Sequence, residues 1–315
     1  MDQLERRYNK YIIMSKLWVS GCSYTNFEWP SYADWLAPGW DEFENLGSGG
    51  AGNRYIFQRI GYLISKNFIK PEDTVIVQWS AIAREDRVLT GDAGWSTVGN
   101  IHYQDIYPEE WVKKYFNIIQ TSVELISNFN VLELALKQIG CQYVFLNMFD
   151  WEVDKFLGEP ATPASVHDQI QQWESMGYRK ALKELSERCL RPCIEEFKWD
   201  YCEEKHYVKY HNSLKAQWDN HPNSYAHYQY AHKIIKPHLK VPYLKELEKK
   251  EYYDSAIKWT EYHKDWDKVN QIDKDPFPPT FTEDLKYPSE DCLSQHDTLD
   301  YTNNERHIKY IKPNE

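Results

Sequence analysis

No run of lysine or arginine long enough to form a basic patch occurs in this chain. Acidic residues outnumber basic ones by 48 to 37, which gives a formal net charge of −11. Such a balance offers no electrostatic reason to bind nucleic acid. No stretch reaches the ~18 consecutive apolar residues that a membrane helix requires, so no membrane partner is expected either. The N-terminus, Met1-Asp2-Gln3-Leu4-Glu5-Arg6-Arg7, is charged and lacks the apolar stretch of a signal peptide. A cytoplasmic protein is the resulting expectation, and Met14 is an alternative start because the ordered pattern begins there. The six cysteines, Cys22, Cys141, Cys189, Cys193, Cys202 and Cys292, are irregularly spaced and suggest no disulfide framework. Cys189, Cys193, Cys202, His206 and His211 match no common zinc spacing, and Pro192 interrupts any helix carrying the first two. Neither a metal nor a cofactor is expected. There is no internal repeat.

What is present is aromatic. Of 315 residues 16% are Phe, Trp or Tyr, including 13 Trp and 24 Tyr, and 42% are apolar. That composition excludes disorder over most of the length and supplies one large core or two smaller ones. Aromatic packing in a core or subunit interface accounts for it, and stacking on sugars is a second use.

Residues 16–149 alternate strands with helices, the pattern of an α/β fold with a largely parallel sheet. Lys16 to Gly21 reads as a buried strand ending in a glycine turn, and Phe43 to Leu46 as another. Thr74 to Trp79 is the clearest strand, its β-branched run being apolar on both faces. Pro30 to Ala37 reads as a short helix, and Asn53 to Phe68 as a longer one from the spacing of Ile56, Phe57, Ile60, Leu63 and Ile64. Residues 84–107 read as a long loop. Pro108 to Ile139 reads as one long helix stopped by Gly140, and Gln142 to Met148 as a strand. Residues 151–217 read as a helical insertion. Ser224 to His238 is expected to be a helix capped by Ser224. The division expected is an α/β domain over 1–239 and, over 240–315, a helix (roughly 243–269) followed by an extended arm.

Three segments carry candidate chemistry. Gly21-Cys22-Ser23-Tyr24-Thr25 puts a hydroxyl at the C-terminal end of the first strand, where open α/β sheets build their sites. Ser23 there is either a nucleophile whose own N–H receives an oxyanion, or a helix cap. Asn45-Leu46-Gly47-Ser48-Gly49-Gly50-Ala51-Gly52-Asn53 has three readings. Gly50 N–H and Asn53 hold developing negative charge near Ser23, or the segment is a plain turn, or Gly47, Gly49 and Gly52 form a dinucleotide loop. The acidic lead-in from Gly39 to Asn45 is poor for the last. Asp219-Asn220-His221-Pro222 precedes a helix. His221 there takes the Ser23 proton with Asp219 fixing its tautomer, or it is a surface histidine. His102, with Asp105 nearby, is a rival base, and His227 and His232 read as solvated or packed.

Taken together these blocks resemble those of the SGNH, or GDSL-type, hydrolases. Gly21-Cys22-Ser23-Tyr24-Thr25 is similar to the family's Gly-Asp-Ser-x-Thr block, with Cys22 where Asp is usual. Asn45 to Gly50 is similar to the second block, whose last glycine donates an oxyanion N–H. Thr74 to Ser80 is similar to the strand leading to the third, and Asp219 to Pro222 to the last. The segment from Trp79 to Asp86 is also similar to SGNH-like proteins of tailed bacteriophages. The resemblance implies a three-layer α/β/α, flavodoxin-like fold. It also implies hydrolysis of carboxylic esters, often acetyl groups on glycans, through an acyl-Ser23 intermediate, with His221 as base and Asp219 as orienter. Two departures stand out. Aligning Ser80 with the third block's glycine puts Ile82 where a side-chain Asn normally completes the oxyanion hole, which leaves Gln78, Ser80 or Asn53 as substitutes. Asp219 lies two residues before His221 rather than three.

The expectation is a serine esterase acting on a small-molecule or glycan ester. The alternative is an SGNH-fold protein with weakened chemistry, serving in glycan binding or as a virion component. The C-terminal arm is expected to support self-association into a homo-oligomer.

Overall fold

The computed structural model describes residues 15–27, 29–88, 95–101, 107–151, 171–202, 206–208, 217–240 and 250–264. Its centre is a four-stranded parallel sheet, β1 (Lys16–Ser20), β2 (Glu42–Asn45), β3 (Thr74–Trp79) and β6 (Gln142–Asn147), in the order β2-β1-β3-β6. Registers such as Leu17 opposite Thr74 and Thr74 opposite Gln142 align the strand starts. β1 and β3 are buried along their whole length, as an apolar run on both faces requires. β2 lies at one edge, and its acidic Glu42 and Glu44 are met by Lys16 of β1, at 3.7 and 2.8 Å. The chain passes outward from β1 to β2, then back across to β3. It therefore has a switch point beside the C-terminal end of β1.

Helices cover the sheet. α2 (Asn53–Ser65) packs on α4 (Ile118–Ile139), and α4 on α5 (Tyr178–Ser186). α1 (Tyr32–Leu36) packs with α7 (Ser224–Tyr230), and α7 with α8 (Lys250–Lys264). This is the α/β architecture with flanking helices and inserted helical segments expected from the sequence.

Several local expectations are corrected. Within the stretch read as a loop, β4 (Arg84–Val88) and β5 (Trp95–Asn100) form an antiparallel hairpin. On β4 the buried residues are Glu85 and Asp86, so no apolar alternation marks that strand. The single helix expected over 108–139 is two, α3 (Glu109–Tyr115) and α4. Phe116 is extended between them, and the Asn117 side chain caps α4 by accepting from Ile119 and Gln120 N–H. Asn223, not Ser224, caps α7, because its Oδ1 accepts from Ala226 N–H at 2.8 Å. Ser224 instead donates to the Pro30 carbonyl.

Beyond α7 the chain tightens through a π turn, Ala231–Ile235, and a 3-10 turn, Lys236–His238. The segment 151–217 holds α5 and α6 (Ile194–Phe197), and also β7 (His206–Val208), which pairs with β8 (Gln217–Asp219). The helix expected over 243–269 is described over Lys250–Lys264. The arm and most of the insertion's first part lie outside the described residues, as do His102, Asp105 and His211.

Candidate active site

Ser23 sits in the turn that leaves β1, where Thr25 N–H and Asn26 N–H both return to the Cys22 carbonyl. Gly21 is required there, since a Cβ on it would stand 2.0 Å from Thr25 Oγ1. Asp219 ends β8 and His221 follows in the loop before α7. The two segments meet. His221 Nε2 is 2.9 Å from Ser23 Oγ, and His221 Nδ1 is 2.8 Å from Asp219 Oδ1. An ionised carboxylate accepts only, so Nδ1 carries the proton and Nε2 faces the serine hydroxyl with a lone pair. Asp219 Oδ1 also accepts His221 N–H at 2.5 Å. The short Asp-x-His spacing thus lets one carboxylate fix both the backbone and the ring of the histidine.

Aromatic side chains frame the imidazole. Phe27 stacks on it at 4.0 Å and 19°, and Tyr24 meets it edge-on at 5.1 Å. Trp29 Nε1–H donates to the Pro222 carbonyl at 2.8 Å, so the histidine loop is also tied to the serine segment below the ring. Ser23 and Asp219 are buried, while the His221 side chain keeps 22% of its surface exposed. One edge of the site is therefore open to an incoming molecule.

The glycine loop is fastened to the serine turn. Ser48 N–H donates to the Gly21 carbonyl, Asn26 Nδ2–H to the Gly47 carbonyl and Asn45 Nδ2–H to the Thr25 carbonyl. Gly50 has φ +73°, and its carbonyl accepts Gly99 N–H from the hairpin. A Cβ at Gly50 would lie 2.4 Å from the Thr97 carbonyl oxygen, so only glycine fits there.

Of the side-chain donors named from the sequence, Asn53 and Ser80 are directed elsewhere. Asn53 Oδ1 accepts Ser80 N–H, and Nδ2 faces the carbonyls of Ser80 and Ala81 at 3.2 and 3.3 Å. Gln78 lies beneath the turn, where its Oε1 accepts from Thr25 Oγ1 at 2.7 Å, while its buried Nε2 has no hydrogen-bond partner among the described residues. Ser80 Oγ points to Met148 Sδ. Ile82 is half-buried against the core and donates nothing.

Asp86 decides the dinucleotide reading of the glycine loop. Its carboxylate accepts Gly52 N–H at 2.8 Å and Tyr55 N–H at 2.9 Å. These are the helix N-terminal amides that a pyrophosphate would need. Burial pushes the Asp86 carboxyl up to about 6 against the opposing pull of those two amides. The anion site of α2 is already filled by the protein.

Two further described histidines occupy other surroundings. His227 is fully buried near Tyr32 rather than solvated, and His232 lies 6.0 Å from the Tyr228 ring. Among the described residues no cluster of His, Cys, Asp and Glu has a metal-holding arrangement, and no helix is long and apolar enough to cross a membrane.

Sequence reasoning did not single out Phe27, Asp86, Glu195 or Lys198. Glu195 and Lys198 form an ion pair at 2.9 Å whose lysine is 1% exposed. In the sequence their i, i+3 spacing is indistinguishable from that of a solvated surface pair.

No protein family matches the sequence, and no curated protein matches it. Among solved structures the chain is similar to a member of the lipolytic protein G-D-S-L family from Veillonella parvula DSM 2008. The identity is 11% and the TM-score 0.34, over 70% of this chain and 95% of that one. So remote a likeness assigns no role to any residue here.

Proposed function

We propose that this protein is a serine ester hydrolase of the GDSL, or SGNH, type. The observation that carries the reading is the continuous relay from Asp219 through His221 to Ser23, with contacts of 2.8 and 2.9 Å at the C-terminal edge of the sheet. In the first half-reaction Ser23 Oγ bonds to the ester carbonyl carbon while its proton passes to His221 Nε2. The tetrahedral intermediate places its negative oxygen against the backbone N–H groups of Ser23 and Gly50. Collapse breaks the carbon–oxygen bond to the alcohol, which leaves with the proton from Nε2. Water then repeats the sequence on acyl-Ser23, releasing the acid. Asp219 stays ionised throughout and stabilises the imidazolium.

With Asn53 committed to Ser80 and Ala81 and Ile82 unable to donate, this reading places the oxyanion hole on backbone amides. The loss of one side-chain donor typically lowers the rate 100- to 1,000-fold, so a slow enzyme is the expectation. Incubation with a fluorophosphonate, followed by peptide mapping, tests the reading. Folded protein is expected to be labelled at Ser23, and Ser23→Ala to abolish both labelling and hydrolysis of 4-nitrophenyl acetate. Unlabelled folded protein, or ester turnover unchanged in Ser23→Ala, refutes it.

A further inference from the structure

We propose that Lys198 is a positioning residue for this reaction, its buried ammonium tying the loop that carries Asp219 and His221 to the turn that carries Ser23. The inference rests on the hydrolase reading and adds a component from outside the α/β core. Lys198 opens the 3-10 turn Lys198–Asp200 directly after α6. Its ammonium has three N–H groups, and each has an acceptor. Glu195 Oε2 lies at 2.9 Å, Tyr24 Oη at 3.5 Å, and the third is the carbonyl of Asn220. Asn220 stands between Asp219 and His221, and Tyr24 directly follows Ser23.

Tyr24 closes the network by donating its O–H to Glu195 Oε2 at 2.5 Å. Burial, then the Glu195 carboxylate beside it, hold the Tyr24 phenol well above its ordinary pKa, so it remains a donor. The Tyr24 ring also meets the His221 imidazole edge-on. Two segments far apart in the chain are thus joined through one buried cation. The influence proposed on the imidazole is geometric: Lys198 fixes the carbonyl next to His221 relative to the residue next to Ser23. A displacement of about 1 Å in such a contact lowers rates by about 100-fold.

Removing one member of a buried ion pair strands the other, whereas replacing both with neutral groups of similar size is tolerated. The test therefore compares Lys198→Met, the double variant Glu195→Gln/Lys198→Met, and Tyr24→Phe with the parent. Readouts are melting temperature, kcat and KM on 4-nitrophenyl acetate, and the rate of Ser23 phosphonylation. The double variant is expected to melt near the parent, with kcat and the phosphonylation rate lowered about 10- to 100-fold and KM within about twofold. Tyr24→Phe, which deletes a single oxygen, is expected to lower kcat about tenfold at constant KM, and it decides the matter if the lysine variants do not fold. A folded double variant with kcat within twofold of the parent overturns the inference, as does a raised KM at constant kcat. Parent protein that neither labels nor hydrolyses the ester overturns this inference together with the hydrolase reading. An active parent with unaffected variants overturns this inference alone.

Discussion

At the residue scale two histidine environments stand a few residues apart in the sequence and differ in kind. His221 has a carboxylate on one ring nitrogen and a hydroxyl on the other. Replacing Asp219 by Asn removes the negative charge and introduces an NH2 donor that favours the wrong tautomer, and the comparable change in serine protease triads lowers kcat about 10⁴-fold. A fall of that order in ester turnover, with melting temperature little changed, is expected for Asp219→Asn. His227 lies fully buried, and neither ring nitrogen has a hydrogen-bond partner among the described residues. Burial, then the nearby His221 and Lys198, push it down to about 3 from an ordinary 6.5. Between those pH values the unfolded chain binds a proton that the folded chain excludes. The stability linked to His227 is therefore complete above pH 6.5 and declines as pH falls toward 3, by about 1.4 kcal/mol per unit. Asp34 and Asp86, both raised to about 6 by burial, act in the opposite sense, their contribution falling as pH rises from about 4 to 6. Comparing His227→Phe with the parent isolates the histidine. The gap in urea midpoint between parent and variant is expected to change with pH between about 4 and 6.5, the parent losing more stability than the variant as pH falls; parallel profiles would contradict the assignment.

At the scale of elements, the hairpin was the least legible part of the chain, and it does the most to hold the glycine loop. A strand is recognised by apolar alternation, and Arg84-Glu85-Asp86-Arg87-Val88 offers none. Its inward carboxylates are buried because other elements need them: Asp86 caps α2, and Glu85 pairs with Arg87 at 2.6 Å and Arg54 at 3.8 Å. The partner strand then clasps the glycine loop, with Gly99 N–H on the Gly50 carbonyl and Thr97 Oγ1 donating to the Gly49 carbonyl. Two neighbouring glycines consequently differ. Gly50→Ala forces a side chain into a left-handed backbone and against the Thr97 carbonyl at 2.4 Å. A loss of about 1–2 kcal/mol from the backbone alone is expected, and the displaced amide is expected to lower kcat as well. At Gly49 an added Cβ meets nothing within 4 Å, so Gly49→Ala is expected to retain the parent's melting temperature and rate. Equal behaviour of the two variants in thermal melts and ester assays would count against the clasp.

At the scale of the whole molecule, the parallel sheet was readable because β1, β3 and β6 are apolar runs separated by helical periods, and runs of that kind are buried on both faces. The grouping of Ser23 with Asp219 and His221 was readable from motif order alone. The Glu195–Lys198–Tyr24 network was not, since burial of a charged pair leaves no trace in residue spacing. The boundary expected near residue 240 falls between α7 and α8. α8 carries Tyr252, Ala256 and Trp259 at helical spacing, and all three are buried in the hydrophobic cluster that also contains Leu17, Trp35 and Val77. Tyr252 meets the edge of Trp35, which belongs to α1, and the Thr260 hydroxyl accepts Tyr225 N–H in the first turn of α7. α7 directly follows the His221 loop, so a helix distant in sequence from the relay supports one of its walls. Trp259→Ala is therefore expected to remove about 3–5 kcal/mol from a single cooperative transition. Fluorophosphonate labelling of Ser23 is expected to be lost in the same temperature interval as the far-ultraviolet circular dichroism. Tyr253→Ala, at a side chain 40% exposed on the same helix, is expected to cost far less. Two separate transitions in Trp259→Ala, with Ser23 labelling surviving the first, would instead mean that α8 unfolds as a unit of its own.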